Sequence, residues 1–117
     1  MTTDGDRSRR SRGIRALDAL SERFRALPGV DGATMFGSPA LKVHGKVFGF
    51  VGTEGELIVK VPADRATALV DQGVAERTRI GRNAAREWVG ISLEHAELWS
   101  GLLEESRRYV ADGSDPG

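Results

Sequence analysis

Between residues 14 and 27 the apolar positions recur every three or four residues, at Ile14, Leu17, Leu20, Phe24 and Leu27, with Arg15, Asp18, Glu22, Arg23 and Arg25 between them. That period is one face of an amphipathic helix. Pro28 and Gly29 stop it, because proline disfavours helical geometry in the residue before it and glycine suits a left-handed cap. After "PGVDG" the period falls to two. "ATMF", "ALKV", "KVFGFV" and "ELIVKV" predict four short strands, separated by Gly37-Ser38-Pro39, by His44-Gly45 and by "GTEG". Two residues between the second and third strands predict a tight hairpin in which Gly45 takes a positive φ. If Val43 pairs with Lys46, Leu41 opposes Phe48, and Leu41, Val43, Phe48 and Phe50 share one buried face. In the fourth strand Leu57, Val59 and Val61 alternate with Ile58 and Lys60.

"PADRATALVDQG" restores helical spacing, with Pro62 near the start, Asp64 in the first turn and Gly73 at the end. "VAERTRI" and "REWVGI" predict two more strands joined through "GRNAA". The segment "SLEHAELWSGLLEESRRYVADG" then predicts a last helix, capped by Ser92, with Leu98, Trp99, Leu102, Leu103, Ser106, Tyr109 and Val110 on one stripe. Arg107 and Arg108 sit near its negative end. The order α-β-β-β-β-α-β-β-α implies an α+β fold, a two-layer sandwich of helices against one antiparallel sheet.

Composition narrows the chemistry. The 117 residues suit one domain, expected over residues 13–112, with a loose arginine-rich arm at 1–12 and a loose tail at 113–117. With 17 basic and 17 acidic side chains the net charge is zero, which argues against a whole-protein field for nucleic acid or anionic lipid. There is no cysteine, so disulfides, thiolate catalysis and cysteine-ligated zinc are excluded. No apolar run approaches the roughly 20 residues of a membrane span, and a cytoplasmic location is expected.

No catalytic constellation follows. "GATMFGS" has two glycines with four residues between them, but Ser38 stands where a phosphate loop needs lysine. His44 and His95 lack a second histidine at ligand spacing, and no nucleophile-elbow motif occurs. No cofactor or metal is therefore expected. Lys42, Lys46 and Lys60 on the hairpins, with Arg77, Arg79, Arg82 and Arg86 later, form either a basic contact surface or a solvated face balanced by glutamates. Trp88 and Trp99 read as core, and an exposed Trp88 would instead mark an interface.

The succession "MFG", "LKVHGKVF", "LIVKVPADRA", "ALV", "REWV" and "W..LLEES..YV" resembles the TfoX/Sxy N-terminal domain family, from about Phe24 to Val110. That family is similar in structure to YjbR-like proteins. The resemblance implies a small bacterial cytoplasmic protein without catalytic residues; the best-known relatives act with a transcription activator in natural competence and carry a second, helical domain. The expected function is a non-enzymatic regulatory or protein-interaction module, monomeric or homodimeric, away from membranes. Its expected contact surface is Lys42, His44 and Lys46 at the hairpin tip with Arg82, Arg86 and Trp88. The alternatives are nucleic-acid binding by the arginine arm and basic strands, and a small-ligand cleft.

Overall fold

In a computed structural model, residues 2–35, 37–78 and 86–113 are described, with side chains from residue 9 onward. The order is α1 (Thr2–Arg25), β1 (Val30–Met35), β2 (Ser38–Val43), β3 (Lys46–Val51), β4 (Leu57–Lys60), α2 (Ala63–Asp71), β5 (Glu76–Arg77), β6 (Trp88–Ile91), a 3-10 segment (Leu93–Leu98) and α3 (Trp99–Ala111). The six strands form one antiparallel sheet in the order β1-β2-β3-β4-β6-β5. All three helices contribute to one core on one face: Leu17 and Phe24 from α1, Ala66 and Leu69 from α2, Trp99 and Leu103 from α3. This is the expected two-layer α+β arrangement.

The hairpin β2–β3 turns through His44 (φ 52°) and Gly45 (φ 82°). Positive φ at both central residues is the turn whose twist matches the flanking strands. Val43 does pair with Lys46, but Leu41 pairs with Gly49, not Phe48, because the register shifts between Leu41 and Lys42. Two residues of β3 thus oppose a single step of β2. Such a bulge disturbs the alternation of side chains. Phe48 stays in the helical core, and Phe50 turns to the other face, where it packs with Ala40, Ile58 and Trp88.

At the bulge the ladder is completed by a helix. Ser106, fully buried on α3, donates its hydroxyl to the Phe48 carbonyl at 2.7 Å and accepts the Lys60 backbone N–H at 3.2 Å. It stands between two backbone groups that continue the β3–β4 register. Both find a partner in a place where water does not reach, as buried peptide groups must.

Two further expectations are corrected. Helix α1 begins at Thr2, where a loose arm was expected through residue 12. Extending a formed helix adds one hydrogen bond per residue fixed, and arginine is a good helix former. The extension is also docked: Arg10 donates to the buried Ser38 hydroxyl at 2.7 Å, and the backbone of Arg9 lies so close to Gly55 that no side chain fits there. The last helix is not continuous from Ser92. The chain runs as a 3-10 segment interrupted at His95 (φ −114°, ψ 30°), and α3 starts only at Trp99. The Ser92 side chain makes no cap; its carbonyl instead accepts the indole N–H of the buried Trp99 at 3.3 Å. Burial of that large ring takes precedence over a regular helix start. Residues 79–85, with the expected "GRNAA" connection, and 114–117 of the expected tail lie outside the described residues.

Candidate functional site

The registers decide which of the expected contact residues meet. The tip at His44 and Gly45 lies beyond the pair Val43–Lys46, and β4 ends beside it at Lys60, opposite Trp88. Residues 42–46 and 86–88 therefore occupy the same end of the sheet, although some forty positions separate them in sequence. Lys46 and His44 are exposed, Lys42 is half-buried and Arg86 is exposed. Trp88 is a correction. It is 7% exposed and packs against Phe50 at 6.0 Å between ring centroids, as its reading as core expected, so it does not join the exposed contact residues. Arg82 lies outside the described residues.

The tip is held firmly. The His44 N–H donates to the Gly29 carbonyl at 2.9 Å, and a Cβ at Gly29 would stand 2.5 Å from His44 Cε1. The imidazole therefore lies over the link between α1 and β1, and only glycine leaves room for it. On the sheet edge beyond β6, Arg77 of β5 donates to Thr67 Oγ1 on α2 at 2.7 Å and to the Arg86 carbonyl at 3.4 Å. A cleft of about 390 Å³ opens here, lined by Ala63, Asp64, Thr67, Arg77 and Arg86.

Of the acidic neighbours at this end, Glu87 is engaged. Glu87 lies 3.8 Å from Lys60 Nζ and hydrogen-bonds Tyr109. Burial, and then the charge of Glu87, holds the Tyr109 phenol above its ordinary pKa, so it stays neutral and can donate. Asp31 is the register partner of Lys42 and is exposed. The basic side chains of this end are Lys42, Lys46, Lys60 and Arg86, and its acidic ones are Asp31, Asp64 and Glu87.

The opposite end differs. A cavity of about 370 Å³ there is lined by Glu54, Glu56, Glu76 and Glu94 together with Arg9 and His95. Its best-defined element is the β3–β4 turn, where the Glu56 carboxylate accepts the Glu54 backbone N–H at 3.0 Å. Among the described residues no group of three or more histidines and carboxylates stands where it could hold a metal ion, and no helix is long and apolar enough to cross a membrane.

The contact surface was legible as residue types but not as a place. The antiparallel register, which no local motif announces, puts Arg86 at the same end of the sheet as the hairpin tip, with β4 between them. Sequence reasoning missed Ser106 as a link between strands, since a serine on an apolar helical stripe is its only trace.

The family model described as YjbR matches residues 25–109, well over half of the chain. No curated protein and no solved structure matches.

Proposed function

Since this chain belongs to the YjbR family, we propose that it acts as a non-enzymatic protein-interaction module whose contact surface is the sheet end formed by Lys42, His44, Lys46 and Arg86. The observation that carries this reading is the convergence of two distant basic segments on one end of the sheet, one of them pinned through His44 to Gly29. A rigid surface loses little conformational freedom on binding, which favours recognition. Its charge selects an acidic protein surface as the partner, and transcription regulation is the process that the family resemblance suggests.

The nucleic-acid reading is second. It joins the arginine arm to the basic strand faces, yet Arg9 and Arg10 dock against Gly55 and Ser38, at the far end of the strands from Lys42 and Lys46. That separation weighs against it. The test is affinity capture with a triple charge reversal, Lys42→Glu, Lys46→Glu and Arg86→Glu, against a Glu54→Lys control. The interaction reading expects a partner whose binding weakens roughly tenfold or more in the triple variant and not in the control. Equal capture by both would overturn the surface. Binding to mixed-sequence DNA with a steep salt dependence, lost in the same triple variant, would favour the second reading.

A further inference from the structure

The two edges of the sheet are unlike. Strand β5 exposes only two residues, Glu76–Arg77, whereas β1 runs for six residues in unbroken register with β2. Natural sheets blunt an edge with lysine, proline, a bulge or shortness. β5 is short; β1, reading "VDGATM", has the single charge of Asp31 and no lysine, proline or bulge, and no strand lies on its far side among the described residues.

The phase of the ladder identifies which groups face outward. Because His44 N–H bonds the Gly29 carbonyl, and 29 and 44 continue the register of Val30 with Val43, residues 31, 33 and 35 exchange bonds with β2. The peptide groups of Gly32 and Thr34 then point away from the sheet. The Val30 N–H is already spent on the Leu27 carbonyl at 3.2 Å.

A groove follows this edge on the helical side. It is a cavity of about 410 Å³ between α1 and β1, with Asp18, Ser21 and Arg25 on one wall and Gly32 and Thr34 on the other. Gly32 has no side chain to fill it, and the Arg25 stem lies over that gap, 3.4 Å from where a Cβ would stand.

We propose that β1 pairs with β1 of a second copy of this chain, antiparallel about a two-fold axis at Ala33, joining two sheets into one. The edge is self-complementary in this register. Gly32 exchanges both of its outward hydrogen bonds with Thr34 of the other copy, and Thr34 does so with Gly32, giving four bonds. Ala33 meets its own equivalent, the smallest side chain of the strand apart from glycine. Asp31 falls opposite Met35 and so avoids its own charge.

The helices agree with the same axis. Asp18 and Arg25 are two turns apart on α1 and flank the groove, with Ser21 between them near the level of Ala33. An antiparallel copy of α1 brings Asp18 to Arg25 and Arg25 to Asp18, the reciprocity an isologous interface requires. Because α1 lies over β1, β2 and β3, the two helices would be about three strand spacings apart, roughly 14 Å, a gap that an arginine reaching an aspartate spans.

The test is sedimentation equilibrium of the full chain across a concentration series. The mass should rise from 12.6 kDa toward twice that value. Thr34→Pro removes an outward donor and no bond to β2, so it should leave the circular dichroism unchanged and keep the protein at single-chain mass. Arg25→Asp should weaken association at least tenfold, and the double exchange Asp18→Arg, Arg25→Asp should restore it. Reversing Lys42 and Lys46 should leave association intact, which separates this test from that of the basic surface. A single-chain mass at every concentration would overturn the proposal. So would a dimer indifferent to both Thr34→Pro and Arg25→Asp.

Discussion

On one face of the sheet Leu41, Val43, Phe48, Leu57, Val59, Val89 and Ile91 share a core with side chains from all three helices. On the other face Ala40, Phe50, Ile58 and Trp88 pack as a cluster of four to which, among the described residues, no helix contributes. Both clusters are buried, but they do different things. The first joins two layers and sets where the helices lie. The second ties strands β2, β3, β4 and β6 together, with Ala40, Phe50 and Ile58 in one cross-strand row away from the hairpin tip and Trp88 at the basic end. A sheet can thus hold its helices with one face and tie its own strands together with the other.

The largest effect should come from the residues that the bulge assigns to opposite faces. Phe48→Ala removes a ring that is fully buried against α1, where Phe24 lies 6.4 Å away centroid to centroid. A loss of about 3–5 kcal/mol is expected, since three packed helices cannot collapse into the cavity. Phe50→Ala should fall at or below the lower end of that range, because fewer neighbours are fixed around it. Urea denaturation of both variants measures the difference, and an equal or greater loss at Phe50 would break the distinction between the faces.

Ser106→Ala comes next. It strips a hydrogen-bond partner from the Phe48 carbonyl and from the Lys60 N–H together. Each unsatisfied buried group costs about 1–3 kcal/mol, so a total of about 2–4 kcal/mol is reasonable where the strands close up partly. Ser106→Thr tests the geometry separately: it keeps the hydroxyl and adds a methyl group, and should recover only part of the loss. Hydrogen exchange at the Lys60 amide provides a second reading. Its protection should drop in Ser106→Ala by more than that of Val59, which lies within the paired strand.

The difference between the faces also explains what could be read in advance. Periodicity locates α1, the four strands of the meander, α2 and the stripe of α3, because each must bury one side. Along β4 the alternation holds: Leu57 and Val59 are in the helical core and Ile58 is outside it. Along β3 it fails at Phe48, because a bulge adds one residue to one strand and every later side chain changes face. An apolar residue fits either face here, so the pattern "KVFGFV" has no mark of the change. Trp88 is buried as its reading as core expected, and only its place among the contact residues fails, since a large ring at a strand end suits an outer cluster as well as an interface. Ser92 fails as a cap for another reason: the decisive contact is the distant burial of Trp99, and a local signal has no access to it. At the candidate surface the sequence names Lys42, His44, Lys46 and Arg86 but not their meeting, which depends on β4 and β6 pairing across the sheet.

The smallest effect probes the solvent side of the helical layer, which neither cluster reaches. Glu104 on α3 accepts from Arg107 at 2.6 and 3.0 Å and from Arg108 at 2.8 Å, and its carboxyl is lowered to about 2, first by the Arg107 hydrogen bond, with partial burial opposing. A carboxyl whose folded pKa lies below its unfolded value, near 4.3, contributes stability that is present in full above the unfolded pKa. That contribution diminishes as the pH falls from about 4.3 and is gone below about 2. Because Glu104 is about one-third exposed and Arg108 mostly so, solvent screening keeps the contribution to about 1 kcal/mol or less. Glu104→Gln should therefore lower stability slightly at pH 7, and the gap between variant and parent should close as the solution is acidified toward pH 2. Added salt should narrow it at pH 7 as well. A gap that is constant with pH would show that the glutamate acts through packing of its methylene groups, and not through its charge.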